Sequence, residues 1–276
     1  MYNIKLVATD LDGTFLKNDR SISAENLNAL HLLGEKNIIR VAATGRNLHK
    51  VEEVIHGDVP FDYIVFSSGA GVFDWKQRKH IFNRNIDRET SRKLIGYFIE
   101  KRLNFHAFFP VPQNHKHWYY RGDEKCEEFE RYFEFNNAHA TDITESGIPD
   151  SELCQFLIII PEDREKFEQF KTEVESLSSD IRVIRTSSPI TKGYIWIEVF
   201  HKSVSKGNGV QHICDMLDIE HGLTLGIGND YNDFDLLDFT AYSFMTENAP
   251  SEISELYETA PSNENDAFAF VTQMIF

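Results

Sequence analysis

Ile4-Lys5-Leu6-Val7-Ala8-Thr9-Asp10-Leu11-Asp12-Gly13-Thr14 is the stretch that decides the fold. Its apolar first half reads as a buried strand. The two carboxylates that follow are two residues apart at the strand's end and point to the same side. Gly13 then lets the chain turn sharply. Two exposed acids at that place repel one another. The repulsion is relieved by a hard cation such as Mg²⁺ bound through oxygen. One carboxylate can then act as a nucleophile while the other handles protons. A lone Asp-x-Asp is more simply a strand ending in a polar turn. Here the turn glycine, the strand and three further segments favour the chemical reading.

The pattern continues outward as alternating strands and helices. Ser23-Ala24-Glu25-Asn26 caps a helix with Leu27, Leu30 and Leu33 on one face. Ile38 to Ala43 is a second buried strand, ending at Thr44-Gly45-Arg46. Val51, Val54 and Ile55 mark another helix, and Asp62 to Phe66 a third strand that ends at Ser67-Ser68-Gly69-Ala70-Gly71. Such βαβαβ order implies a doubly wound, Rossmann-like parallel sheet with helices on both faces. Ligands of such sheets sit beyond the carboxyl ends of the strands, where these motifs fall. The order resumes after Ser205-Lys206-Gly207, with a helix carrying Val210, Ile213, Met216 and Leu217. The strand Leu223 to Gly228 then runs into Asn229-Asp230-Tyr231-Asn232-Asp233, and Ala241 to Met245 is a last short strand.

Between these parts the alternation breaks. Residues 85–189 carry a helix after Arg88, aromatic-rich segments (Phe105 to Val111, His117 to Arg121) and an acidic helix near Glu124 to Glu134. A strand over Gln155 to Ile160, a helix near Arg164 to Leu177 and a strand over Ile181 to Arg185 follow. Runs of both kinds predict an inserted α+β module. The expected division is therefore a core in two segments, residues 1–84 and 190–276, with an α/β cap domain over 85–189. Hinges are expected near Asn83-Arg84-Asn85 and Ser187-Ser188-Pro189.

Composition sets the outer limits. With 276 residues, 41% hydrophobic and 13% aromatic, the chain can build a sizeable core. Its formal net charge of −16 argues against nucleic acid or an anionic membrane as partner, since both need a positive surface. A small anionic substrate is still compatible, because a metal and a few donors set the field inside a cleft. The three cysteines, Cys126, Cys154 and Cys214, have no metal-like spacing. They read as ordinary thiols of a reducing compartment, hence a cytoplasmic location. Strand pattern begins almost at once, with no room before it for a signal peptide, and no apolar run is long enough to span a bilayer.

The chain resembles the haloacid dehalogenase superfamily, in its Cof-like branch with a large α/β cap inserted after the third core strand. The resemblance covers nearly the full length. It rests on Asp10-x-Asp12-Gly-Thr, Thr44-Gly45-Arg46, Ser205-Lys206-Gly207 and Gly228-Asn229-Asp230-Tyr231-Asn232-Asp233, in the family's order. It implies a Mg²⁺-dependent phosphomonoesterase acting on a small phosphorylated metabolite, with sugar phosphates first among the candidates. Asp10 would form a phospho-aspartate and bind Mg²⁺. Asp12 would protonate the leaving alkoxide, activate water, and offer its backbone carbonyl to the metal. Thr44 would hold a phosphate oxygen, aided by the helix N-terminus that follows. Lys206 would neutralise the phosphate and keep Asp10 ionised. Without those partners Thr44 reads as a helix cap and Lys206 as a surface lysine.

Two positions stay open, Arg46 and Asn248. Arg46, with Gly45, stands between a substrate contact and a surface ion pair. Asn232 matches a residue that orients the site, and Asn248 stands between a phosphate contact and a turn. The fourth motif also departs from the family's Gly-Asp-x-x-Asn-Asp, because Asn229 replaces the first acid. An amide oxygen can still bind Mg²⁺ but brings no charge. The expected metal set is therefore Asp10, Asp12, Asn229 and Asp233. In the insertion, His106, His115, His117, Trp118, Tyr119 and Arg121 form an aromatic and basic cluster that could select the leaving group or simply pack, and Glu198 is similarly open. A phosphomutase and a low-turnover phosphometabolite-binding protein are the alternatives; the substrate, pathway and oligomeric state are not written in the sequence.

Overall fold

The computed structural model describes residues 3–275. The first segment runs β1 (Leu6–Thr9), α1 (Ala24–Glu35), β2 (Ile39–Ala43), α2 (Leu48–Glu52), β3 (Tyr63–Phe66), β4 (Gly71–Asp74) and β5 (Lys79–Asn83). The middle runs α3 (Arg88–Glu100), β6 (Phe105–Phe108), β7 (His117–Tyr120), α4 (Glu127–Asn136), β8 (Ala140–Asp142) and α5 (Ile143–Ser146). It continues with β9 (Phe156–Pro161), α6 (Arg164–Leu177), β10 (Ile181–Ser187) and β11 (Tyr194–His201). The last segment runs α7 (Lys206–Leu217), β12 (Thr224–Gly228), α8 (Phe234–Phe239), β13 (Tyr242–Thr246), β14 (Glu258–Ala260) and α9 (Ala267–Gln273).

The chain divides into two compact units, residues 1–83 with 205–276, and residues 84–204. Among the described residues the first unit holds a sheet in the order β14-β13-β12-β1-β2-β3-β4-β5. The strands from β14 to β3 are parallel, and β1 lies between β12 and β2. Leu6, Val7, Ala8 and Thr9 are all buried, as a strand covered on both faces must be. Ser23 caps α1 as read from the sequence, its hydroxyl accepting from the Asn26 N–H at 3.1 Å. The sheet differs from a purely parallel one. After β3 the backbone takes left-handed angles at Ser67 and Ser68 (φ 48° and 54°), with Gly69 at φ 100°. The chain reverses there, so that β4 and β5 extend the sheet as antiparallel strands before the second unit begins.

The second unit holds a mainly antiparallel sheet, β10-β11-β9-β6-β7-β8, with only β7 and β8 parallel. One face buries Phe105, Phe156, Ile158 and Ile197 against Phe98 of α3 and Phe167 of α6. The boundary expected at 189–190 is corrected by this sheet. β11 pairs along its length with both β10 and β9, so Tyr194–His201 belongs to the second unit. Ser187-Ser188-Pro189 is the turn of that hairpin and no hinge. Ser188 Oγ accepts from the Ile190 and Thr191 amides, both at 3.1 Å, which fixes the turn locally. Among the described residues no helix is long and apolar enough to cross a membrane.

Candidate active site

The carboxyl ends of β1, β2, β3 and β12 bring most of the singled-out residues together. Asp10 follows β1 and is buried, its amide donating to Ile227 O at 2.9 Å. Lys206 is the first residue of α7 and is 1% exposed. Its ammonium donates to Asp10 Oδ1 at 2.7 Å and to Asp233 Oδ1 at 2.6 Å, and reaches Asn232 Oδ1 at 3.5 Å. The Ser-Lys-Gly motif explains this placement. Ser205 caps α7 by accepting from the Asn208 N–H at 3.0 Å. Gly207 lets α7 pass α8 closely, for a Cβ there would stand 2.1 Å from Asp235 O.

Charge follows from this burial. Desolvation pushes the Asp10 carboxyl up from its ordinary range; the charges of Asp233 and Asp12 add to that, and Lys206 opposes it. Burial works against the charged Lys206, yet Asp10 and Asp233 together hold it above its ordinary value. The lysine therefore stays an ammonium.

Asp12 points elsewhere. Its carboxylate is 45% exposed and is held by Arg46 in a two-pronged pair, Nε to Oδ2 and Nη2 to Oδ1, each 2.6 Å. Arg46 thus forms an ion pair, and with a residue of the motif itself. Thr44 is buried, and its hydroxyl accepts from the Arg46 amide at 3.1 Å, which leaves the hydroxyl hydrogen to donate. The helix N-terminus expected to aid Thr44 is displaced: α2 starts only at Leu48, and Asn47 already caps it by accepting from the Lys50 N–H. Gly45 lies beside Asn232 and Ser68, since a Cβ on it would be 3.6 Å from each side chain.

The loop after β12 fixes the contacts of several of these residues. Asp233 Oδ2 accepts from the Asn229 and Asp230 amides at 2.8 and 3.0 Å, while its Oδ1 holds Lys206. Both oxygens are engaged, so Asp233 shapes the loop and anchors the lysine. Asn248 is tied to the motif loop, donating to Gly13 O at 2.8 Å and accepting from the Asn263 amide at 3.0 Å. It steadies the turn after Asp12, and both ends of its amide are occupied.

Asn229 lies over Gly13, whose φ of +76° and missing side chain make room for the amide. The inner end of that amide is 2.9 Å from Asp12 O, 3.1 Å from Asp10 Oδ2 and 3.1 Å from Thr14 Oγ1. Among the described residues no cluster of three or more His, Cys, Asp or Glu could hold a metal. The candidate donors are instead one carboxylate oxygen, one main-chain carbonyl and one amide. An octahedral Mg²⁺ with bonds of ~2.1 Å sets neighbouring oxygens ~3.0 Å apart. The measured separations match that spacing, so these residues fit the cation the resemblance implies.

Ser68 went unassigned in the sequence. It is buried, its Oγ has no hydrogen-bond partner among the described residues, and it stands beside Gly45. Its positive φ, invisible in a single sequence, is the signal that marks it.

In the second unit the aromatic and basic cluster does not form one site. Strand alternation sends His106 and His117 to one face, and Trp118 and Tyr120 to the other with the core. His106 and His117 are fully buried. His115 stacks edge-on to His139, and Arg121 pairs with Glu130 at 2.9 Å. Trp118 stacks on Phe109 at 3.8 Å and lines a cleft of about 450 Å³ with Val111, Pro112 and Pro149. Glu198, on β11, is buried and accepts from Gln155 and Thr186.

The family of this chain is now defined. The model of the haloacid dehalogenase-like hydrolases matches residues 7–271. The chain belongs to that family, and it is a phosphatase by class. It is 25% identical over 296 residues to the 5-amino-6-(5-phospho-D-ribitylamino)uracil phosphatase YwtE of Bacillus subtilis (strain 168), covering 99% of this chain and 98% of that one. It is 22% identical to the putative phosphatase YxeH of the same organism, covering 98% of each. Its fold is that of the phosphatase BT1666 from Bacteroides thetaiotaomicron, with TM-score 0.78, 20% identity, and coverage of 98% and 94%. The subclass IIB sugar phosphatase BT4131 gives TM-score 0.76 at 17% identity, with 98% of each chain covered.

Proposed function

We propose that this protein hydrolyses phosphomonoesters of small metabolites through a phospho-aspartate on Asp10, with Mg²⁺ as cofactor. The observation that carries the reading is the buried Lys206 ammonium between Asp10 and Asp233 at a strand end, beside Thr44 and the Asn229–Asp12–Asp10 oxygen set. The two oxygens of Asp10 face different neighbours. Oδ2 meets the Asn229 amide, while Oδ1 sits on Lys206 and is the oxygen we assign to attack phosphorus. Lys206 and the Thr44 hydroxyl then hold phosphate oxygens, and Ser68 offers a further hydroxyl. Protonated Asp12 gives its proton to the departing ester oxygen as the P–O bond breaks. A water next attacks the phosphorus, losing its proton to Asp12, and Asp10 and inorganic phosphate are regenerated. Bound Mg²⁺ supplies positive charge against the phosphate and the Asp10 carboxylate. Asp12 must leave Arg46 to carry a proton, and the incoming phosphate dianion competes for that guanidinium.

Sugar or polyol phosphates are the substrate class we favour. The ribityl phosphate in the name of one relative and the sugar phosphatase among the structural neighbours support this. We assign choice among leaving groups to the second unit, whose Trp118–Phe109 stack and cleft suit an apolar ring or sugar face. The test is phosphate release from a panel of phosphomonoesters with Mg²⁺ or with chelator. Release should need Mg²⁺ and vanish in Asp10→Asn, since an amide cannot form the aspartyl phosphate. Substantial turnover by Asp10→Asn would remove the mechanism.

A further inference from the structure

We infer that Asn229 works as a two-way ligand, its amide nitrogen bonding Asp10 and Asp12 when no cation is held and its amide oxygen turning inward when one is. The inference rests on reading this loop as a cation-dependent centre. It starts from one observation: the inner end of the amide is within 3.1 Å of three oxygens, Asp12 O, Asp10 Oδ2 and Thr14 Oγ1. A carbonyl and a carboxylate oxygen are acceptors only. An amide oxygen facing both is repelled, whereas an amide NH₂ donates to both. The orientation is therefore assigned from the network, with nitrogen inward. The same position, with oxygen inward, has the spacing of a Mg²⁺ donor edge. Rotation about one side-chain bond exchanges the two states.

An aspartate at 229 has no such choice. Its two ends are both acceptors, so without a cation it faces Asp10 Oδ2 and Asp12 O with repulsion on either rotamer. Asn229 thus lets a buried acidic loop stay assembled without metal. Lys206 serves Asp10 Oδ1 and Asp233 Oδ1, and leaves Oδ2 of Asp10 to the amide. The same hydrogen bonds must be given up on cation binding, and the ligand that replaces them brings no charge. Both effects weaken cation affinity relative to an aspartate. The centre is in this way matched to a cation that comes and goes.

The test compares wild type, Asn229→Asp and Asn229→Ala as full chains at pH 7.5, by calorimetric melting in chelator and across a Mg²⁺ titration. In chelator, Asn229→Asp should melt below wild type by about 3–10 °C. Asn229→Ala, which loses the bonds but adds no charge, should fall in between. With saturating Mg²⁺, Asn229→Asp should recover more than wild type gains, and its Mg²⁺ Kd by titration calorimetry should be tighter by about 10-fold or more. Should Asn229→Asp fold only with Mg²⁺, the chelator melt of Asn229→Ala carries the comparison. Equal or higher melting of both variants in chelator would overturn the inference. Melting in chelator involves neither metal nor turnover, so absent phosphatase activity would count against the proposed reaction and leave this result standing.

Discussion

The two units differ in how they house buried titratable groups. In the first unit the buried cations Lys206 and Arg40 each meet carboxylates. Lys206 lies between Asp10 and Asp233, and Arg40 donates to Asp62 at 2.8 and 2.9 Å while Lys76 reaches the same carboxylate at 2.5 Å. In the second unit His106 and His117 are fully buried, and none of their four ring nitrogens has a hydrogen-bond partner among the described residues. Oε2 of Glu128 is in the same position, although its Oε1 accepts from Ser188 and from Trp196 Nε1 at 3.4 Å. A paired charge is hard to remove singly, because its partner is stranded. An unpaired neutral group already bears its desolvation penalty, so removing it loses little. The first unit is therefore held in one arrangement that chemistry can use, and the second is open to change at fixed fold.

Lys206→Met is the severest challenge to this contrast. It leaves Asp10 and Asp233 facing each other in a dry site without their cation. Removal of one partner of a buried pair typically destabilises by about 3–5 kcal/mol, and phosphate release should fall with it. Urea unfolding measures the first and an activity assay the second. A loss below about 1 kcal/mol would mean that the pair is solvated and the contrast unfounded.

Acid is the next probe, and it should weaken the second unit more than the first, where burial also lowers His80 on the edge strand β5. Burial lowers His117 from its ordinary 6.5 to about 4, with His139 adding to the effect, and burial with the charges of His117 and Arg121 lowers His106 well below its ordinary value. Between pH 6.5 and 4 the unfolded chain then binds protons that the folded one refuses. Stability of the second unit is present above pH 6.5 and is lost on acidification, by at most ~1.4 kcal/mol per pH unit for each histidine. Limited proteolysis at pH 5 and pH 7 reads the difference. New cuts at pH 5 should fall within residues 84–204. Cuts spread evenly over both units would contradict the assignment.

How much the sequence revealed follows the same division. The strands and caps of the first unit were legible, because full burial writes continuous apolar runs such as Leu6 to Thr9, and capping writes Ser23 and Ser205. The motifs named the site residues that lie on strand and helix ends. What stayed hidden depends on three-dimensional direction. Nothing in Asn229-Asp230-Tyr231-Asn232-Asp233 says that Asp233 spends both oxygens on the loop and Lys206. Nothing in Thr44-Gly45-Arg46 says that Arg46 closes on Asp12. In the second unit β6 and β7 hide in aromatic-rich sequence, where period-two alternation buries the histidines and divides the aromatic and basic cluster between two faces. The end of that unit was misplaced because Ser187-Ser188-Pro189 looks like a linker, while only pairing to β9 shows that β11 belongs to the same sheet.

The smallest expected effect is the sharpest test of the second unit. His106 packs face-on to Phe129 at 4.4 Å and contacts His117 and Tyr132 at 4.8 and 4.7 Å. His106→Leu keeps a similar volume and removes two ring nitrogens that have no protein partner. The lost ring stacking is worth about 0.5–1.5 kcal/mol. The desolvation it relieves is worth about 1–3 kcal/mol. The two nearly cancel, so unfolding free energy at pH 7.5 should change by no more than about 1 kcal/mol, in either direction. At pH 5 the variant should be more stable than wild type, because one acid-sensitive histidine of that unit is gone. Denaturant melts at both pH values give the two numbers. A loss above about 2 kcal/mol at pH 7.5 would show that the His106 nitrogens are bonded after all, through water or a ligand between α4 and the sheet. The second unit would then contain a buried polar site of its own, and the contrast with the first unit would disappear.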